Sequence, residues 1–403
     1  MLQDFRARFK KKSSLRKDFV NFVEFCLGYA VLLGINLFLM RKINHALSQE
    51  EMGRYSFITS LVLIVGPILY FAAPQAYIRF HEQHNIARSL RKFLLPFCWL
   101  SVFGLAVIIY WCGCSWFALL YAFLPLFTEK TYLLRCQMNI TKMNILQIGV
   151  QALTLLLVVL WCREHMLKVS TLLGFFGIGY LLSSVFPVRG LTDGQTDRRK
   201  VMRFLGPIVF TTLLSTFLAN SAVMFAKYFF GYEGAGVMGV AVKAALTMNS
   251  FFTIFLMFFP LIYIREAAKG NFHLIHLYRN SIMIIVSIFC VLAAIFHREI
   301  YYLLGAEQYG GHSILFVILI GVAFFNFIAD IYWLYFAYEI KTWKNSLLKL
   351  ASCAIIFAGI GFTPKFGITY IAFLLLLAAA VPAVTGAMLA LYSERKRIVK
   401  GSI

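Results

Sequence analysis

The chain has 403 residues, a mean hydropathy of +0.79 and 61% hydrophobic residues, with only 14% charged. A soluble domain carries about 25% charged residues, so that class is excluded. The net charge of +21 invites nucleic acid as a partner, but the placement of the basic residues along the chain excludes that too.

Apolar runs long enough to cross a bilayer as helices fall at 19–41, 53–74, 93–112, 116–136, 144–162, 169–188, 204–229, 236–262, 278–297, 312–338, 346–362 and 368–392. A basic stretch (Arg6, Arg8, Lys10, Lys11, Lys12, Arg16, Lys17) precedes the first run. That run exceeds a signal peptide's apolar core and no small-residue cleavage site follows it, so it is expected to be retained. It carries Glu24 and Asn36, with Arg41 and Lys42 near its far end. The second span opens on Leu47-Ser-Gln-Glu-Glu-Met-Gly53-Arg-Tyr55-Ser and closes on Pro74-Gln-Ala-Tyr77-Ile-Arg79. The fourth, with Glu129, Lys130 and Arg135, is the least apolar. Cys112-Gly-Cys114 is the only close pair among eight cysteines. It lacks the His or second Cys pair a zinc site needs, so neither metal nor disulfide is expected, and no cofactor. In the sixth span, Gly174-Phe-Phe-Gly-Ile-Gly179 has no preceding strand and no Lys-Ser/Thr; it reads as small residues for close helix packing, not a phosphate loop.

A Gly- and charge-rich linker at 189–203 then separates a lobe at 1–188 from one at 204–403. The seventh span sets Thr216, Asn220 and Lys227 on one helix face, and the eighth does the same with Lys243, Thr247 and Ser250. After the ninth, His297-Arg-Glu-Ile-Tyr-Tyr-Leu-Leu-Gly reads as a short interfacial helix. The tenth aligns Asn326, Asp330 and Trp333.

Basic residues follow connection parity: the alternate, short connections hold little beyond Arg163, Lys168, Arg298 and Lys365. The positive-inside rule therefore places both termini in the cytoplasm, and most of the charge is topogenic. Phe5 and Phe9 among the cations suit contact with anionic membrane lipids.

The sequence is written twice. Pro74-Gln-Ala-Tyr-Ile-Arg79 returns as Pro260-Leu-Ile-Tyr-Ile-Arg265 at an offset of 260 − 74 = 186, and Met52-Gly53 returns as Met238-Gly239 at the same offset. At an offset of 201, Glu129 meets Asp330. Six spans per half give both halves the same orientation, so the pseudo-two-fold axis is expected along the membrane normal. The fold class is thus an all-α polytopic membrane protein of two six-helix lobes.

Ionisable groups inside spans face a cavity or a partner, because lipid rejects them. Arg41, Lys42, Lys227 and Lys243, with Asn36 and Asn220, are the candidate substrate-binding set. Their basic excess selects an anion with an apolar tail, such as a lipid-linked diphosphate. Arg41, Lys42 and Lys227 also lie near enough to span ends to snorkel, and Arg54 reads as interfacial. Glu24, Glu129 and Asp330 are candidate coupling-ion sites, for a proton or sodium. A neutralised pair with Lys130 or Arg135 is the alternative for Glu129.

With twelve spans in two parallel halves, the Leu47–Ser56 opening, the paired Pro-x-x-Tyr-Ile-Arg endings and the basic loops, the chain resembles the multidrug/oligosaccharidyl-lipid/polysaccharide exporter superfamily. Within it the chain looks like a Wzx-type O-antigen or polysaccharide flippase. That resemblance implies an undecaprenyl-diphosphate-linked oligosaccharide moved from the cytoplasmic to the periplasmic leaflet of a bacterial inner membrane. It also leaves the polysaccharide polymerase machinery as a candidate partner. A multidrug exporter of the same fold is the nearest alternative. A membrane glycan polymerase or glycosyltransferase is a further one, disfavoured by short outer connections and the lack of an Asp-x-Asp or nucleophile elbow.

Overall fold

A computed structural model describes residues 2–80, 86–137, 139–163, 165–187, 191–268, 270–338 and 343–401. Among these, the first half of the chain supplies helices α1 (Leu2–Ala46), α2 (Gln49–Leu69), α3 (Ala73–Phe80), α4 (Arg88–Trp111), α5 (Leu124–Cys136), α6 (Ile140–Trp161) and α7 (Val169–Val185). A 3₁₀ segment, Trp116–Phe123, runs into α5 and completes the fourth crossing. The second half supplies α8 (Arg198–Ala268), α9 (Phe272–Ile295), the short α10 (His297–Leu303), α11 (Ile314–Tyr338), α12 (Trp343–Gly359), α13 (Thr363–Phe366) and α14 (Ile368–Gly401).

The long α8 is two helices. Gly231 has φ +69° and ψ −163°, a left-handed conformation open to glycine without a Cβ penalty. It separates α8a (198–230) from α8b (232–268). Ten described helical segments are long and apolar enough to cross a membrane, one of them holding most of α8. The shorter apolar α7 and the division of α8 bring the described crossings to twelve, in two lobes. The chain is a multi-pass membrane protein, and an even number of crossings puts both termini at the same end of the bundle.

Cross-helix polar contacts support the short α7. Glu51 of α2 accepts a 2.9 Å hydrogen bond from the Val169 amide at its start, and buried Lys130 of α5 donates to the Phe186 carbonyl at its end. A carboxylate at the amino end and an ammonium at the carboxyl end both oppose the helix dipole. Its middle lies tight on its neighbours: a Cβ at Gly177 would come within 2.3 Å of the Leu120 backbone. Close packing is therefore what Gly174–Gly179 supplies.

Of the 189–203 linker, 198–203 already belongs to α8, and the described part before it is docked on the start of α4. Ile86–Ala87 and Leu191–Thr192 form a two-residue parallel β-pair, Ser89 Oγ donates to the Gly194 carbonyl at 2.5 Å, and Arg88 lies 3.3 Å from Asp193.

The two lobes meet most extensively along α2 and α8. Small residues let these backbones approach: a Cβ on Gly53 would fall 1.8 Å from the Tyr232 carbonyl oxygen, and one on Gly236 2.4 Å from the Gln49 carbonyl oxygen. Gly53 and Gly239, equivalent in the sequence repeat, both lie at the lobe boundary, Gly53 against Tyr232 and Gly236, and Gly239 against Ser56. A second contact joins the lobes nearby, where Asn44 Nδ2 donates to the Leu304 carbonyl at 2.8 Å and Gln308 Nε2 to the Asn44 carbonyl at 3.0 Å. Both contacts lie at the end of the bundle opposite the termini, so the lobes are closed against each other there.

Candidate functional site

Below the Gly53–Tyr232 crossing, the seam between α2 and α8 carries cations held mostly on aromatic faces. Lys243 Nζ sits 3.4 Å from the centre of the Tyr55 ring and 3.1 Å from Ser56 Oγ, with Met52 Sδ at 3.9 Å. Lys227, from the end of α8a, lies 5.1 Å from the Phe57 ring centre and 5.5 Å from that of Tyr232. Arg54 of α2 reaches the same Tyr232 ring at 5.4 Å and pairs with Glu50 at 3.6 Å. One ring therefore holds a cation from each lobe.

The partner type matters. A cation over a ring gains roughly 0.5–2 kcal/mol without having its charge cancelled. Among the described residues, no carboxylate lies within ion-pair distance of Lys227 or Lys243. The seam is a place where positive charge is positioned without being cancelled.

The proposed substrate-binding set is only partly brought together. Lys227 and Lys243 share the seam with Arg54, which the sequence placed at the interface and which is half-exposed there. Arg41 and Lys42 are exposed on α1; the Arg41 stem approaches Gly305 at the second lobe contact. Asn220 is buried, its amide bonded at 2.9 Å to the Thr216 carbonyl of its own helix, and Asn36 is half-buried on α1. Thr216 and Thr247 likewise return their hydroxyls to backbone carbonyls one turn back.

The three acids differ. Thr141 Oγ1 donates to the Glu24 carboxylate, and Asn144 Nδ2 to the Glu24 carbonyl at 3.1 Å, tying α1 to α6. Glu129 is buried and receives Arg91 Nε at 2.8 Å and the Tyr77 hydroxyl at 3.4 Å. Its partner is thus Arg91 of α4, not Lys130 or Arg135 on its own helix. Lys130 is engaged with α7, and Arg135 lies over the Tyr132 ring at 5.9 Å. Asp330 is exposed on α11, with the charge of Lys349 from the neighbouring α12 acting on it.

An acid that the sequence reading passed over completes a duplicated arrangement. Glu394, fully buried near the end of α14, receives Tyr263 Oη at 3.1 Å and both terminal nitrogens of Arg279 at 3.1 Å. Arg279 also lies 2.8 Å from His276 Nδ1 and 4.4 Å from the centre of the Tyr332 ring. Each lobe therefore binds a tyrosine and an arginine to one buried carboxylate. The tyrosines are 186 apart (263 − 77) and the arginines 188 apart (279 − 91). The carboxylate is not equivalent: α5 supplies Glu129 in one lobe and α14 supplies Glu394 in the other. The paired Pro-x-x-Tyr-Ile-Arg endings read from sequence as cytoplasmic span ends, with the tyrosines at the interface and Arg79 and Arg265 on the cytoplasmic side. Tyr77 and Tyr263 are instead fully buried, because each hydroxyl serves a carboxylate, and Arg279 is not a solvated topogenic cation. The Arg265 side chain lies outside the described residues.

Compared with solved structures, the chain resembles an inward-facing multidrug resistance MATE family transporter of the MOP superfamily, with TM-score 0.69 and 12% identity over 92% of this chain and 96% of that one. It matches an outward-facing transporter of the same family less well, with TM-score 0.60 and 11% identity over 94% of both chains. A MATE in complex with MaD3S gives 0.64 and 13% over 94% of this chain and 96% of that one. The chain has the fold of these transporters. No protein-family model and no curated relative matches its sequence, so the finer resemblance to polysaccharide flippases rests on the residues quoted for it.

Proposed function

We propose that the chain is a secondary transporter working by ion-coupled alternating access, and that its substrate is a lipid-linked diphosphate oligosaccharide flipped across a bacterial inner membrane. The observation that carries the substrate class is the α2–α8 seam, where Lys227 and Lys243 rest on aromatic rings with no carboxylate among the described residues within ion-pair distance. Low-dielectric walls strengthen the attraction of such charge for a phosphate group. The tail of the substrate stays in the bilayer.

With both termini cytoplasmic, the closed Gly53–Tyr232 seam lies on the periplasmic side, an inward-facing state. The better match to the inward-facing neighbour supports this. Flipping would then require the seam to part and release Lys243 from Tyr55 and Ser56. Asp330 is the preferred coupling site, since Glu24 and Glu129 are already engaged by neighbours on other helices.

The neighbours support a second reading better than the first. They are described as multidrug transporters, which favours export of a small amphiphile, with the seam cations as part of its selectivity. Proteoliposomes separate the two. Flipping of a fluorescent lipid-linked diphosphate oligosaccharide, reduced in Lys243→Gln and uncoupled from the ion gradient in Asp330→Asn, supports the first. Gradient-driven movement of an organic cation with no flipping establishes the second.

A further inference from the structure

The segment from α10 to the start of α11 does more than connect two spans. A cavity of about 500 Å³ opens there, lined by Arg298, Glu299, Tyr301, Tyr302, Glu307 and Gly310. Tyr301 is 2% exposed and its hydroxyl has no hydrogen-bond partner. The Tyr309 hydroxyl, His297 Nδ1 and Asn44 Oδ1, buried in or against the same segment, are also without partners. A buried polar atom left unsatisfied costs about 1–3 kcal/mol; of these four, the Tyr301 hydroxyl belongs to a residue lining the cavity, and it points to a ligand or ordered water there.

The lining is chemically unlike the seam. Arg298 is outnumbered by Glu299 and Glu307, so the lining is net negative and a phosphate gains nothing. An exposed aromatic face (Tyr302), two carboxylate acceptors, a guanidinium donor and a tyrosine hydroxyl suit a polyhydroxylated ring. The aromatic face meets the ring's C–H side, and the polar groups meet its hydroxyls. We propose that this cavity is a carbohydrate-binding site that holds the glycan part of the substrate on the release side of the membrane. The ligand's role as transport substrate rests on the flippase reading; the site itself does not. Its position adds a consequence: Leu304 and Gln308 of the same segment bond to Asn44 of the other lobe, so a bound glycan sits beside the contact that closes the lobes.

The test uses the full chain in nanodiscs and lipid-free oligosaccharides as probes: chitotriose, and the repeat unit released by mild acid from the source strain's own surface polysaccharide. Saturation-transfer NMR and titration calorimetry read binding. Saturable binding of at least one probe is expected, about tenfold weaker in Tyr302→Ala and in Glu307→Gln and retained in Tyr302→Phe, which keeps the ring. Gly34→Ala, where a Cβ meets nothing within 4 Å, should bind the same probe as wild type. Absence of binding by both probes, or binding undiminished in both Tyr302→Ala and Glu307→Gln, overturns the site. The wild-type flipping assay is scored separately, so flipping without glycan binding removes this inference and leaves the transport reading, whereas glycan binding without flipping does the reverse.

Discussion

Gly53→Ala is the sharpest perturbation of the lobe seam. The new methyl would be 1.8 Å from the Tyr232 carbonyl oxygen and 2.7 Å from its carbon. Both are backbone atoms, so no side chain can rotate away and the helices must part by more than an ångström. Forced overpacking of this kind costs about 1–3 kcal/mol. Alanine in place of glycine in a helix meanwhile gains about 1 kcal/mol, so the fold itself is not expected to suffer. The cost is confined to the state in which the lobes are closed at this end. A bias of about 1–3 kcal/mol shifts a two-state population by roughly 5- to 150-fold. Electron–electron resonance between spin labels at Met166 and Phe366, both exposed at that end and on different lobes, reads the shift in a background without reactive native cysteines. The expected result is a longer inter-lobe distance in Gly53→Ala and no change in Gly34→Ala, where a Cβ meets nothing within 4 Å. A Gly53→Ala distribution identical to wild type, in folded protein, would refute the seam as the closing surface.

Three further outcomes follow from the same contacts. Arg279→Ala strands Glu394 in a fully buried site and should cost about 3–5 kcal/mol; Arg91→Ala should cost less, because Arg91 is 23% exposed and water can reach its place beside Glu129. Thermal unfolding in detergent compares them, and equal losses would contradict the difference in burial. Glu51→Ala removes the acceptor at the start of α7 and should lower stability by about 0.5–2 kcal/mol. Hydrogen exchange should rise at Val169 and its neighbours, and unchanged protection there would count against the cap. Lys243→Met keeps the stem against Tyr55 and should lower stability by no more than about 2 kcal/mol. It should still remove most transport of a diphosphate lipid, and full flipping at normal protein level would show that the ammonium is not needed.

Hydropathy made the twelve crossings legible, because each must satisfy its backbone within lipid. Register made the duplication legible, and the Met52-Gly53 and Met238-Gly239 copies prove to lie on the two helices that meet at the lobe boundary. Partners brought together by folding were not legible. Glu394 stands among Arg395, Lys396 and Arg397 and reads as part of a solvated tail. Its burial depends on Arg279, 115 residues away on another helix. Arg279 in turn follows loop parity like a topogenic cation. The equal offset of Glu129 and Asp330 suggested equivalent acids, yet the lobe containing Asp330 builds its tyrosine–carboxylate–arginine arrangement from another helix. Lys243 was legible as an intramembrane charge. Its seat on Tyr55 was not, since it exists only where α2 crosses α8.

Reconstituted flipping with imposed ion gradients bears on the central claim most directly. With a lipid-linked diphosphate oligosaccharide in proteoliposomes, wild type should move the lipid between leaflets and respond to a proton or sodium gradient. Lys243→Gln should lose most of the flux, and Asp330→Asn the gradient response. Flux equal to protein-free vesicles in the wild type, alongside gradient-driven export of an organic cation, would contradict the account.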